Sequence, residues 1–180
     1  VDVGRQEERV AQADDALLAQ VRRLPVDFQQ QLVGLHDPRR LTKAFTELAV
    51  KYPGTQEGSV AEYFLATAAA DRGNIQEAEK RFKLVADSGE AGYASLAKLS
   101  LAQIYNSEGK AAEGKKLIRS IIDKPTVFVS KEEATIALAR LIAPAKPLEA
   151  QKLLEPLRAN ERSAVSRAAL TALSDIKQPK

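Results

Sequence analysis

Apolar residues recur at helical spacing along most of the chain, and no stretch alternates apolar and polar residues as a β-strand would. Residues 6–23 show the first such pattern, with acidic residues on the side opposite the apolar stripe. The stripe consists of Val10, Leu17, Val21 and Leu24. Pro25 ends this segment, and a short helix is expected at residues 27–33. The whole pattern predicts about ten helices joined by short turns.

Capping residues predict where the later helices begin and end. Asp37-Pro38 is expected to start a helix, with Asp as N-cap and Pro at the first helical position, and Tyr52-Pro53-Gly54 to end it. Three more starts are expected where a Ser or Asn is followed three residues later by Glu, namely at Ser59, Asn74 and Ser130. Glycines that can close a helix stand at Gly73, Gly89 and Gly109.

The later helices repeat one another at a spacing of 36 residues. A small residue recurs at Ala78, Gly114 and Ala150. Bulky apolar residues follow at Phe82, Ile118 and Leu154, and again at Val85, Ile121 and Leu157. Glycine inside a helix costs about 1 kcal/mol relative to alanine, so Gly114 predicts a close crossing of two helices. One such pair cannot bury its own apolar face, and at least three are expected to stack.

These repeats resemble the tetratricopeptide repeat (TPR) superfamily. The middle repeat carries the residues of its motif at Leu101-Ala102, Tyr105, Gly109 and Ile118, and the preceding repeat at Leu65-Ala66, Gly73, Ala78 and Phe82. The motif's Trp is replaced by Glu62, Lys98 and Ala134. The resemblance implies an all-α, TPR-like right-handed α-solenoid built from antiparallel helix pairs.

The repeat pattern divides the chain into three expected parts. Residues 1–37 would form a helical stalk or, equally, a cap on the first repeat. Residues 38–160 would hold the repeats, with helix pairs at about 58–90, 91–126 and 130–160. Residues 161–180 would supply a capping helix, expected at 164–176, and a tail, because a solenoid has to cover its last interface.

Two stretches carry more specific resemblances. Residues 45–55 resemble a helix ending in a Tyr-Pro turn that is frequent in bacterial cell-envelope repeat proteins. Residues 93–105 resemble the corresponding helix of a narrower family, the ancillary SecYEG translocon subunit (YfgM-like) family. The resemblance implies an N-terminal membrane helix, a repeat domain on the periplasmic side of the inner membrane, contacts with the translocon or periplasmic chaperones, and no catalytic residues. The chain starts at Val1 and contains no Met, so we expect that a preceding anchor was removed. An envelope assembly or cell-division factor of the outer-membrane or Tol-Pal type, and a cytoplasmic TPR adaptor, are the alternatives.

Composition excludes several kinds of chemistry. The 180 residues include no Cys and a single His, which excludes thiolate nucleophiles, disulfides and zinc sites of the His₃ or His₂Glu type. The formal charge of +3 conceals a gradient, since residues 1–90 sum to −3 and residues 91–180 to +6. Basic residues mostly alternate with acidic ones and lack interleaved aromatic residues, so no nucleic-acid partner is expected.

The residues with catalytic potential have structural explanations. His36 lies beside Asp37, but no Gly-x-Ser-x-Gly nucleophile motif accompanies them, so a histidine in a turn is the better interpretation. Adjacent carboxylates at Glu7-Glu8 and Glu132-Glu133 diverge by about 100° on a helix and do not face one another. No phosphate-binding loop of the Walker type occurs. We therefore expect no enzymatic activity, no cofactor and no bound metal.

The remaining candidate is a partner-binding groove. In a TPR stack the first helices of each pair line the concave surface, and the corresponding residues here are Tyr63, Thr67, Asp71, Leu99, Gln103, Asn106 and Thr135. Clamps for a peptide carboxylate use Lys and Asn at such positions, whereas Tyr63, Leu99 and Thr135 stand there in this chain. A neutral groove suits an extended segment or a helix of a protein partner. The alternative is that partners use the convex side or the stalk; we expect a monomer or weak homodimer.

Overall fold

A computed structural model describes residues 38–88 and 91–176 of the chain. Helices account for 79% of these described residues, which contain no strand, and the all-α prediction is confirmed. Eight α-helices lie within them, close to the expected ten. The helices predicted at 6–23 and 27–33, together with His36, Glu7-Glu8 and the cap at Asp37, lie outside the described residues.

The chain divides into two compact units, Val1–Tyr93 and Ala94–Lys180. The helices of the first unit are α1 (Pro38–Lys51), α2 (Gln56–Asp71) and α3 (Ile75–Ala86), followed by the first three residues of α4 (Ala91–Ser107). Helix α2 packs against both α1 and α3. The first unit is thus organised around one central helix.

Aromatic rings fill much of the core of the first unit. Phe45 of α1 stacks on Phe64 of α2 with ring centroids 5.0 Å apart and an interplanar angle of 19°. Tyr63 meets Phe82 and Tyr93 edge-on at 5.7 and 5.4 Å. Aromatic pairs of this kind contribute about 0.5–1.5 kcal/mol beyond the burial of their area. These five residues are called the aromatic cluster below.

The second unit has an aliphatic core. Its helices, after the remainder of α4, are α5 (Ala111–Asp123), α6 (Lys131–Ile142), α7 (Pro147–Leu154), the 3₁₀ helix η1 (Glu155–Leu157) and α8 (Ser163–Asp175). Helix α6 packs against α5, α7 and α8. The bulkier buried side chains of this core are Ile118, Ile121, Val129, Ile136, Leu138, Ile142, Leu154, Val165 and Ile176.

The close helix crossing predicted at Gly114 is confirmed. A Cβ atom at this position would stand 3.0 Å from the carbonyl oxygen of Ala102 on α4 and 3.0 Å from Cδ1 of Leu141 on α6. Ala78 and Ala150, its counterparts in the other repeats, are fully buried. The small residue of each repeat is therefore buried, and at Gly114 the neighbouring backbone leaves no room for a side chain without a shift.

Most predicted helix boundaries agree with the structure. Ser130 forms the expected capping box with Glu133: the hydroxyl accepts from the Glu133 N–H at 3.2 Å, and the Glu133 carboxylate accepts from the Ser130 N–H at 2.8 Å. Asn74 Oδ1 accepts from the Glu77 N–H at 3.3 Å. Gly73 and Gly109 close their helices at φ of 79° and 77°. Pro38 starts α1, and the final helix, α8, buries Val165, Ala169 and Ala172.

The prediction that Ser59 caps a helix is wrong. Helix α2 begins at Gln56, and its N-cap is Thr55, whose hydroxyl accepts from the Gly58 N–H at 3.2 Å. Ser59 is buried within the helix. Glu62, the expected partner of the Ser59 cap, instead binds Arg81 of α3 at 2.7 Å. The Glu62 carboxylate, which the sequence pattern paired with Ser59, therefore forms an ion pair with a residue 19 positions later in the chain.

Candidate functional site

Tyr63, Thr67 and Asp71 lie on successive turns of α2 and therefore share one face of that helix. Tyr63 is half-buried in the aromatic cluster, and the Thr67 hydroxyl donates to the Tyr63 carbonyl oxygen at 3.0 Å. Asp71 is exposed at the end of the helix. Partial desolvation raises the pKa of the Asp71 carboxyl, against the lowering influence of Arg72. This face offers a phenol ring, a hydroxyl and a carboxylate along one line.

Leu99, Gln103 and Asn106 lie along α4 in the second unit. Leu99 is half-buried against the aliphatic core, whereas Gln103 and Asn106 are exposed. Thr135, on α6, is half-buried, and its hydroxyl donates to the Lys131 carbonyl oxygen at 2.7 Å. The exposed amides can donate and accept hydrogen bonds without carrying charge.

Each predicted set thus combines a residue anchored in the core with polar atoms that reach solvent. The α2 set is brought together on one helix face in the first unit, and the α4 set on one helix in the second. Such faces suit hydrogen bonds to an extended segment or a partner helix. Their role in binding stays a prediction.

Glu132, the described candidate for acid–base chemistry, has structural contacts. It lies in the first turn of α6, and its carboxylate accepts from Arg162 at 3.2 Å. The backbone amide at the helix start lowers the pKa of this carboxyl most, and Arg162 lowers it further. A carboxylate held ionised at a helix N-terminus stabilises that helix.

An exposed turn between α5 and α6 was not anticipated from the sequence. The Thr126 N–H donates to the Val129 carbonyl oxygen at 3.0 Å, and the Val129 N–H donates to the Thr126 hydroxyl at 3.1 Å. That hydroxyl also bonds the buried Ser95 hydroxyl at 2.7 Å. Val129 is buried while Val127, at the tip, is 94% exposed. The turn is therefore fixed at its base and displays two apolar side chains to solvent, Val127 and, at 48% exposure, Phe128.

The described residues contain neither a candidate metal site nor a helix that could cross a membrane. Residues 38–88 and 91–176 hold no group of three or more His, Cys, Asp or Glu side chains that could bind a metal ion. Within the same ranges, none of the helices combines the length and apolar character needed to cross a membrane.

The comparisons with known proteins address the family. A model of the tetratricopeptide repeat-like domain matches residues 6–132, which is more than two thirds of the chain. Searches of curated proteins and of solved structures found no match. The matched segment includes the helices α1 to α5, with the buried small residues at Ala78 and Gly114. The chain therefore belongs to the tetratricopeptide repeat-like domain family.

Proposed function

We propose that this chain is a non-enzymatic protein-interaction scaffold of the bacterial cell envelope, held at the inner membrane by an N-terminal anchor. Its partners would be components of the secretion translocon or periplasmic chaperones. The observation that carries the proposal is the family match, because tetratricopeptide repeat-like domains generally bind protein partners. The helix pairs around α2 and α6, and the polar faces of α2 and α4, support a role in binding.

The absence of enzymatic activity is part of this proposal. The sequence has no Cys and one His, so it offers no thiolate nucleophile and a single imidazole base. The structural contacts of Glu132 further support it, since an ion-paired carboxylate at a helix start has a sufficient role in stability.

The envelope location is supported by two resemblances: residues 45–55 resemble a helix end of bacterial cell-envelope repeat proteins, and residues 93–105 resemble a helix of the ancillary translocon subunit family. The first stretch forms the end of α1 and the turn before α2, where Gly54 has a φ of 75° and the Lys51 ammonium lies 5.1 Å from the Tyr52 ring centroid. The second stretch begins with Tyr93 of the aromatic cluster and runs along α4.

Membrane fractionation of the full-length gene product tests this location. We expect the protein to pellet with membranes and to resist added protease in intact cells. It should become cleavable once the outer barrier is opened osmotically, while a cytoplasmic marker in the same sample stays protected. Cross-linking in the opened cells should then recover translocon subunits or periplasmic chaperones. A protein that stays soluble and protected alongside the marker would contradict the proposal and identify a cytoplasmic adaptor.

The polar face of α4 can be tested with the partner that cross-linking identifies. Gln103→Ala combined with Asn106→Ala removes two exposed amides without disturbing the core. We expect this variant to bind the purified partner at least about fivefold more weakly, because two lost hydrogen bonds of about 0.5–1.5 kcal/mol each sum to about 1–3 kcal/mol. Arg167→Gln, at an exposed position on α8, is the matched control. Equal binding by the variant and the control would place the partner site elsewhere.

A further inference from the structure

Helix α5 carries an unusual concentration of cations. Lys116 and Arg119 are exposed and Lys115 is half-buried. Within the part of the chain that the structure describes, none of the three forms an ion pair. Lys146, the N-cap of α7, and Lys152, one turn after Glu149 on that helix, add two more cations, and the five residues are called the basic face. Glu113 is the one acidic residue in the first turn of α5.

The equivalent helix in the preceding repeat is arranged differently. At the spacing of 36 residues, Lys115 corresponds to Glu79 and Arg119 to Lys83. Glu79 and Lys83 form an ion pair at 2.6 Å along α3. In α5 the same two positions hold like charges one helical turn apart, which destabilises a helix. The repeat architecture therefore allows a favourable pair at these positions, and α5 lacks it.

The cations of α5 and α7 converge on one carboxylate. Lys146 binds Glu149 at 2.8 Å. Lys146 lowers the pKa of the Glu149 carboxyl most, and the charges of Lys115 and Arg119 lower it further, which places all three near the same group. A single carboxylate cannot balance three cations, so the surface around it keeps an excess of positive charge. Leu148, on the first turn of α7, is 62% exposed beside this surface.

We propose that the basic face binds an acidic segment of a partner protein, with Leu148 contacting an apolar residue of that segment. The proposal concerns a surface other than the polar faces of α2 and α4, and it goes beyond the proposed function. Charge complementarity identifies the partner: separate cations spaced along two helices match separate carboxylates along a peptide. Carboxylates of the bound segment would also neutralise Lys115 and Arg119 and so reduce the repulsion between these two cations.

A polyphosphate fits this surface less well. Neither α5 nor α7 contains an aromatic residue on which a base could stack. Glu113 and Glu149 stand among the cations, and both would repel a dense row of phosphates. A peptide can place its carboxylates between these two acidic side chains, whereas a nucleic-acid backbone or an anionic bilayer presents charge everywhere.

Fluorescence anisotropy with a defined probe tests the proposal. The probe is a labelled synthetic peptide of alternating Glu and Leu, and its matched control replaces every Glu with Gln. We expect the whole protein to bind the Glu peptide at low ionic strength, to lose affinity as salt is added, and to bind the Gln peptide weakly. Equal binding of the two peptides would overturn the proposal.

Lys115→Glu supplies the decisive variant, because it recreates the oppositely charged pair of α3, with Arg119 as the partner, and circular dichroism checks that it folds. We expect it to bind the Glu peptide about tenfold more weakly, through the reversal of one charge in the basic face. Lys115→Gln should lose less affinity, and Lys80→Gln, at an exposed position of α3 without an ion pair, should change little. An unchanged affinity of Lys115→Glu would refute the proposal.

Other anions provide the last arm of the test. Single-stranded DNA and phosphatidylglycerol vesicles are measured beside the Glu peptide at the same salt concentration. Tighter binding of either one, with the same loss in Lys115→Glu, would show a surface for polyphosphates and would contradict an acidic protein partner. None of these measurements depends on where the protein resides, so their failure is distinguishable from failure of the fractionation experiment.

Discussion

The two units build the same kind of helix contact with different side chains. In the first unit, Phe45 and Phe64 stack where α1 meets α2, and Tyr63 joins them to Phe82 of α3. In the second unit, the contact of α4 with α5 depends on Gly114, whose missing side chain admits the backbone of Ala102. Large rings in the first unit and a missing side chain in the second thus each bring two helices together, at different positions of the repeat, since the counterpart of Gly114 in the first unit is the buried Ala78.

Removing a stacked ring should have the largest effect. Phe45→Ala deletes a fully buried ring and its 5.0 Å contact with Phe64, and we expect the free energy of unfolding to fall by about 4 kcal/mol. Leu154→Ala, at an equally buried position of the second unit, should cost about 3 kcal/mol. Urea unfolding followed by circular dichroism measures both. A smaller loss for Phe45→Ala than for Leu154→Ala would show that ring stacking adds nothing to the first unit.

Adding a side chain at the close crossing should have the next largest effect. Gly114→Val places methyl groups against the Ala102 carbonyl and Leu141, and we expect a loss of about 2–3 kcal/mol from overpacking. Ala112→Val, at an exposed position of the same helix, introduces valine without the clash. Because valine is a poorer helix former than alanine but a better one than glycine, propensity alone would make Ala112→Val the less stable of the two variants. Thermal melting compares the two variants. Equal melting temperatures would mean that α4 and α5 can separate without cost.

Removing a helix cap should cost less stability than the core changes, and the two units differ in how their caps are built. Ser130→Ala removes one half of a reciprocal capping box in the second unit, and we expect a loss of about 1 kcal/mol. Asn74→Ala removes a single, longer bond of 3.3 Å in the first unit and should cost less. Chemical denaturation of the two variants gives the difference. A larger loss for Asn74→Ala would show that the reciprocal bond from Glu133 contributes little.

Exchanging charges between the repeats should have the smallest effect. Glu79→Lys breaks the 2.6 Å pair with Lys83 and gives α3 the like charges of α5, so we expect a loss of about 0.5 kcal/mol at low salt. The difference should shrink at high salt because the charges are screened. Stability measured at two ionic strengths checks both statements. A loss that is independent of salt would point to packing of the Glu79 side chain instead of its charge.

Local sequence patterns predicted many of the helix boundaries because these boundaries depend on interactions between residues close together in the sequence. The capping box at Ser130 and the closing glycines depend on residues within one turn, so the sequence contains the necessary information. The start of α2 was missed for the opposite reason. Thr55 lacks a Glu three residues later and looks like a weaker cap than Ser59, yet Arg81 holds Glu62 through a contact that spans 19 residues.

The candidate surfaces were harder to anticipate than the helices. Tyr63 was identified from its place in the repeat, but only the packed structure shows that its ring contacts Phe82 and Tyr93. The basic face was overlooked because basic and acidic residues mostly alternate along the whole sequence, which suggested neutralised helix surfaces. The difference from α3 is already present in the sequence, where Lys115 stands 36 residues after Glu79. The structure adds that Glu79 pairs with Lys83 and that Lys116 and Arg119 are exposed.

The turn at residues 126–129 provides a practical handle for finding partners. The 180-residue sequence contains no cysteine, and Val127 projects into solvent from a turn whose base is fixed by Thr126 and Ser95. Val127→Cys would therefore create a single thiol that a dye or a photoactivatable cross-linker can modify. Because the side chain is almost fully exposed, the label should leave the core intact and report what approaches the α5–α6 edge of the second unit.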